Sequence, residues 1–148
     1  MNRVLFSLFL LSGLLLSSSC SDNDVPPERL DVTVNGQKMI FNSIIVDRQG
    51  STNERSFTAV INSNTSRIIT FNANINDEGA NVVKNFAYTI RGKIFKQAQD
   101  SDNLIVDIAI NTNARFAMDF SGILSSYDPE TDSYSSIQLT DGSMDVEY

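Results

Sequence analysis

Asp128, Glu130 and Asp132 stand at alternate positions in the stretch Asp128-Pro129-Glu130-Thr131-Asp132-Ser133. Oxygen ligands so spaced suit calcium, a hard cation that gathers carboxylates and carbonyls. A calcium-binding helix-loop-helix would carry glycine at the sixth place and glutamate at the twelfth. Ser133 and Leu139 stand there instead, and Pro129 makes a plain turn the simpler reading. Tyr127 and Tyr134 flank the same stretch. If the segments on either side pair in register, the two rings meet at the base of the loop. There they either offer a face to a sugar or peptide or brace a hairpin.

Proton chemistry has few other candidates. Asp107, Asp119, Asp145 and Glu147 could form carboxylate pairs, in which one acid is held protonated beside an ionised partner, as a hydrolase requires. Each of the four falls on the polar phase of its segment, which is also what a solvated face looks like. The acidic run Asp100-Ser101-Asp102-Asn103 is a weaker ligand set still. Histidine and tryptophan are absent from all 148 residues, and Cys20 is the sole cysteine. Devices built on histidine are therefore excluded, as are zinc sites made from histidine and cysteine. No glycine-rich phosphate or dinucleotide motif is present. The sequence predicts no enzyme, no cofactor and no catalytic residue. Asn62, Asn64, Asn72, Asn74 and Asn76, with Asn111 and Asn113, could line a sheet face with amides that bind glycans, or could simply keep that face soluble.

Cys20 has its own context. Met1-Asn2-Arg3 carries one positive charge, Val4–Leu16 is a run of 13 weakly polar to apolar residues, and Ser17-Ser18-Ser19 precedes the cysteine. A basic start, a short apolar run and small residues make an export signal. The run is shorter than the roughly 20 residues that cross a bilayer as a helix. Leu16-Ser17-Ser18-Ser19-Cys20 resembles the lipobox of bacterial lipoproteins, departing from it at Ser17, where that pattern has Leu, Val or Ile. The resemblance implies that residues 1–19 are removed and that Cys20 carries a diacylglycerol on sulfur and an acyl chain on its new amine. The lipid expected on Cys20 excludes a thiol device. Several chains on one residue hold a membrane stably, whereas a single one does so only marginally. Residues 20–29 then form a tether with Pro26-Pro27, an extended pair. Its Ser21-Asp22-Asn23-Asp24 resembles the surface-export signal of some Gram-negative lipoproteins. The expected location is the outer membrane, exposed at the cell surface or otherwise facing the periplasm.

The chain from Cys20 onward has ten basic residues against eighteen acidic ones. No basic cluster tracks phosphates, which excludes nucleic acid as a partner, and the charge balance leaves membrane attachment to lipid.

What must position these side chains is β-structure. Ile69, Phe71, Ala73 and Ile75 alternate with Thr70, Asn72, Asn74 and Asn76, the period-two signature of a half-buried strand. Phe86 to Ile94, Leu104 to Ile110, Phe116 to Leu124 and Met144 to Tyr148 alternate likewise. Asn35-Gly36 and Asp141-Gly142 read as tight hairpin turns, since both dipeptides accept positive φ. Gln49–Glu54, Asp77–Asn81, Gln97–Asn103 and Asp128–Ser133 read as longer connections, and a helical turn could sit in Gln97–Asp102. Gly122, inside a long run, predicts a bulge or bend. Residues 30–148 are expected to form one all-β domain, a single antiparallel β-sandwich or partly open barrel of about nine strands.

Two stretches resemble a group of small uncharacterised lipoprotein domains of Gram-negative bacteria. They are Leu30-Asp31-Val32-Thr33-Val34-Asn35-Gly36-Gln37-Lys38-Met39, and Phe120-Ser121-Gly122-Ile123-Leu124 followed by Ile137 to Tyr148. They cover about a third of the chain beyond the signal. The chain lacks the tryptophan after the first hairpin and the mid-domain Gly-x-Tyr that such domains carry. The resemblance implies a β-sandwich in a cell-surface setting and assigns no reaction. The expected function is that of a membrane-anchored, non-enzymatic binding or accessory module, with a glycan or an envelope protein as partner. A subunit that assembles through a sheet edge, and a carboxylate-based hydrolase, are the alternatives.

Overall fold

A computed structural model describes residues 28–50, 53–79 and 81–148. The export signal, Cys20 and nearly all of the tether lie outside the described residues; Arg29, the tether's last expected residue, opens the first strand.

Ten strands follow one another: β1 (Arg29–Val34), β2 (Gln37–Phe41), β3 (Ser43–Arg48), β4 (Glu54–Ile61), β5 (Asn64–Asn74), β6 (Val83–Ile90), β7 (Lys93–Phe95), β8 (Asn103–Asn111), β9 (Arg115–Asp128) and β10 (Ser133–Glu147). They form two five-stranded sheets, ordered β2-β1-β10-β9-β8 and β3-β4-β5-β6-β7. Every pairing is antiparallel. Except for β1 with β10, each strand pairs only with its neighbours in sequence. The topology is an up-and-down meander folded flat into two layers rather than a closed barrel.

The chain changes sheets twice. Asn42 alone separates β2 from β3, and its amide is locked to the β4–β5 turn by Asn42 Nδ2 donating to Asn62 Oδ1 (2.6 Å) and Asn62 N donating to Asn42 Oδ1 (2.7 Å). The second change runs from β7 to β8. Here Lys96 steps across to pair with Ser125 of β9, its N–H and C=O both bonded to that residue's backbone at 3.0 and 2.9 Å.

Alternation decides what is buried. Leu30, Val32 and Val34 of β1, Phe57 and Ala59 of β4, Ile69, Phe71 and Ala73 of β5, and Met144 and Val146 of β10 all point between the layers. Burying each large apolar side chain contributes about 1.5–3 kcal/mol. Phenylalanines run through the middle: Phe57 stacks on Phe71 with centroids 4.7 Å apart, Phe116 leans on Phe57 at 4.9 Å, and Phe86 meets Phe120 at 5.1 Å. Such ring pairs add to the area they bury.

Two turn expectations divide. Asn35 (φ 48°) and Gly36 (φ 81°) both take positive φ and reverse the chain between β1 and β2, as a two-residue hairpin requires. Asp141-Gly142 makes no hairpin. Only Asp141 has positive φ (51°), and β10 runs straight through the pair. Thr140 and Asp141 together oppose Ser121 in a β-bulge, and Gly142 resumes the pairing opposite Phe120. Folding back there would pair Ile137–Leu139 with Met144–Val146 and leave β1 and β9 without the strand that joins them. Conversely, the Phe86–Ile94 run, read as one strand, is broken by Arg91-Gly92 (φ 50° and 82°) into β6 and β7. Gln97–Asp102 holds a single turn, Asp102 N donating to Gln99 O, and no helix.

Candidate functional site

β9 and β10 outrun their neighbours. β8 stops pairing with β9 at Ile123, and β1 stops pairing with β10 at Leu139. Beyond Ser125 the two strands continue as a ribbon whose last register pairs are Ser126 with Ser135, Tyr127 with Tyr134 and Asp128 with Ser133. The tyrosines thus stand directly opposite each other, as anticipated for an in-register pairing. Their ring centroids are 5.1 Å apart and tilted by 49°, and each side chain is about half exposed. The Tyr127 hydroxyl donates to Asp132 Oδ1 (2.9 Å). That carboxylate holds the phenol above its ordinary pKa, with desolvation and the nearby Tyr134 and Asp128 adding to the effect.

The same bonds account for the acidic loop. Asp128 Oδ1 accepts from Glu130 N (3.0 Å), closing a turn, while Asp132, in the left-handed conformation at φ 47°, serves Tyr127. Among the described residues no three acidic side chains converge as a metal would require, Asp128, Glu130 and Asp132 included.

Register brings together what the sequence alone did not pair. Asp107 of β8 lies directly across from Asp119 of β9, both on the outer face. Like charges so placed repel, and among the described residues neither has a cation within ion-pair reach. Two other acids of this face do: Asp31 lies 3.4 Å from Arg29 and 3.8 Å from Lys38, and Asp145 takes a two-pronged bond from Arg115 at 2.8 and 2.5 Å. That guanidinium holds the Asp145 carboxyl below its ordinary pKa. Beside Asp107 and Asp119, the bulge in β10 dishes the sheet into an open trough of about 570 Å³, lined also by Ile105, Ser121, Thr140 and Ser143. It is a wide surface hollow carrying carboxylates and hydroxyls.

Gly122 makes this curvature possible. A Cβ there would collide with the backbone carbonyl of Asn103 on β8. The bulge expected at this glycine lies across from it, where the extra residue belongs to β10.

Asp102 and Ser125, which sequence reasoning did not single out as a unit, form a buried polar knot between trough and ribbon. Ser125 is fully buried and donates to Asp102 Oδ1 at 2.6 Å; Asp102 Oδ2 accepts from the N–H groups of Ala98 (2.8 Å) and Gln99 (2.9 Å). Gln99 Nε2 donates to Ser125 Oγ (2.7 Å), and Ser136 Oγ lies 2.8 Å from it. Burial pushes the Asp102 carboxyl up, but the three hydrogen bonds outweigh it and leave its pKa below the ordinary value. Every partner is satisfied inside the knot, so it reads as a clamp for the β7–β8 connection.

The asparagines disperse. Asn62 and Asn76 are turn residues at φ 49° and 65°. Asn72 accepts from Ser56 at 3.0 Å, Asn74 donates to Asp77 at 2.9 Å, Asn76 donates to Asn113 at 3.3 Å, and Asn111 donates to the carbonyls of Asn74 and Asp77. Most tie turns to strand ends, while Asn72, which shares one face of β5 with Asn74, bonds across to β4. No protein-family model matches this chain, and no curated protein is similar to it.

Proposed function

We infer that this chain is a membrane-anchored lipoprotein acting as a non-enzymatic binding module of the cell envelope, held by lipid on Cys20 and touching a glycan through Tyr127 and Tyr134. The observation that carries the reading is the display of two half-exposed rings on a projecting ribbon. Rings with a polar tip suit a sugar, whose C–H face packs on the aromatic surface while its hydroxyls reach nearby acceptors. Asp128, Glu130 and Asp132 beside the rings supply such acceptors.

Placement supports a tethered reader. Arg29, the first residue of β1, pairs with Asp145 at the opposite end of β10 from Tyr134. At roughly 3.3 Å per residue, that end of β10 is separated from the tyrosines by at most about 35 Å of strand. A protein held through the residues before Arg29 therefore extends its rings away from the anchor.

Binding of the acylated protein to an array of envelope and host glycans tests the reading, with Tyr127→Ala/Tyr134→Ala as the comparison. Selective glycan binding that the double variant loses is the expected result. An intact mass without acyl chains on Cys20 would remove the anchor, and glycan binding indifferent to both tyrosines would remove the site.

A further inference from the structure

We propose that the free edge of β8 accepts an extended segment of another protein as an added antiparallel strand, with basic side chains on that segment's outward face. The site is separate from the tyrosine ribbon and stands or falls independently of it.

Four strands lie at sheet edges: β2, β3, β7 and β8. Natural sheets protect their edges with short strands and charges. β2 has five residues and Lys38, β3 has six with Asp47 and Arg48, and β7 has three with Lys93. β8 is nine residues long, Asn103-Leu-Ile-Val-Asp-Ile-Ala-Ile-Asn111, and Asp107 is its only charge. Leu104, Val106 and Ile108 face the core while remaining partly exposed, and Ile105 on the other face is 62% exposed. It is the longest of the four edges, and its stretch before the irregularity between Ile108 and Ile110 carries a single charge.

The opposing sheet leaves room beside it. β7 pairs only with Tyr88, Thr89 and Ile90, so the stretch of β6 before Tyr88 has no strand on that side either. Two hollows mark the open seam. One of about 460 Å³ lies along Asn85–Ala87 and Lys96, and one of about 420 Å³ lies between the 76–79 turn and Ile108–Asn111. An extended chain fits such a seam by main-chain hydrogen bonds, with alternate side chains entering the layer and facing outward.

Charge selects the occupant. An added strand sets one outward side chain directly across from Asp107, with Asp119 on the next strand. Both carboxylates lack a counter-charge among the described residues. Lysine or arginine there supplies it. A second copy of this chain would set acid near acid between molecules that are each strongly acidic, so the edge does not favour self-pairing. Residues 20–28, with three acidic residues and Pro26-Pro27, are matched neither in charge nor in backbone donors.

The probe is the capped heptapeptide Val-Lys-Val-Lys-Val-Lys-Val, titrated into the native processed chain in detergent. Amide hydrogen exchange is followed along β8. Binding should slow alternate amides between Leu104 and Ile108, before the register shift of β8. N-methylation of one alternate set of peptide amides should abolish binding, and methylation of the other set should leave it intact. Asp107→Lys should weaken the peptide by about tenfold, a lost attraction and an added repulsion of ordinary cross-strand size, and should improve binding of the Val/Glu counterpart. Equal tolerance of both methylated sets would reduce the effect to charge alone and overturn the proposal. So would β8 amides already protected in the free protein, whether by a second copy or by residues 20–28, and so would a folded Asp107→Lys protein that binds the lysine peptide undiminished.

Discussion

Asp102 makes the β7–β8 connection part of the folded body. Its two oxygens collect two backbone N–H groups and the Ser125 hydroxyl; Asp102 and Ser125 are buried, while the two backbone donors are partly so. Removing the acceptor strands three donors, each of which costs about 1–3 kcal/mol when left unsatisfied out of water. Asp102→Ala should therefore lower the unfolding free energy by about 1–3 kcal/mol, most of it from the buried Ser125 hydroxyl, read from the urea midpoint at an unchanged slope. A loss below 1 kcal/mol would show that water replaces the carboxylate freely. The same residue shapes the acid limb. Its folded pKa lies below the ordinary 3.8, so the stability it contributes is complete above that value and disappears as pH falls through the lower, folded one. Asp145, held down by Arg115, acts in the same direction and the same window. Thermal melts between pH 6 and pH 2 should show stability falling below about pH 4, and the fall should be shallower in Asp102→Asn/Asp145→Asn. A double variant with an equally steep acid limb would place the titration elsewhere.

At the level of strands, what could be read beforehand was periodicity, and what could not was register. Ile69, Phe71, Ala73 and Ile75 announce a buried face because side chains on a strand alternate, and that rule needs no knowledge of neighbours. Asn35-Gly36 and Asp141-Gly142 look alike in sequence, yet one reverses the chain and the other bulges. The difference lies in whether β1 and β9 already bracket the strand, a long-range fact. Tyr127 and Tyr134 were legible because a hairpin sets its own register. Asp107 and Asp119 were not, because their pairing depends on how a bulge past Ile108 counts residues between β8 and β9. One signal for the open edge was present: Leu104-Ile105-Val106 places consecutive apolar residues on both faces of β8. The acid pair predicts an uncommon sign of effect. Asp107→Lys should raise stability by about 0.5–1 kcal/mol, since a like-charge pair becomes an opposite-charge one. Added salt should narrow that gain. A destabilised variant would mean that Asp107 has a favourable partner. Gly122→Ala should go the other way and cost about 2–3 kcal/mol, because its Cβ can be relieved only by moving β8 backbone. A melt within 1 °C of the parent would show that β8 yields easily.

The molecule as a whole is a ring of ten strands cut at two seams, and only one pairing in it is far apart in sequence. β1 joins β10 across the length of the domain, and every other pair is a local connection. Forming that pair early requires closing a loop of more than a hundred residues, whereas a hairpin closes one of a few. The difference in closure entropy is about 2–3 kcal/mol. Folding rates of small domains follow the average sequence separation of contacts, so this one pairing should be a late and limiting event. The fold offers a direct way to remove it. Arg29 and Asp145 are opposite each other, so Tyr148 can be joined to Glu28 by a short Gly/Ser linker. Opening the chain between Asn42 and Ser43 breaks no strand pairing, because β2 and β3 belong to different sheets. The permuted order runs β3 through β10 and then β1 and β2, with every pairing now between sequence neighbours. Its equilibrium stability should fall only by what the Asn42–Asn62 corner bonds contribute, about 1 kcal/mol. Its refolding, measured by stopped-flow fluorescence of the tyrosines after dilution from urea, should be roughly tenfold faster. A permutant that folds to the same sheet content but no faster would show that β1–β10 closure is not the slow step, and that the aromatic core or the β7–β8 crossing governs the rate instead.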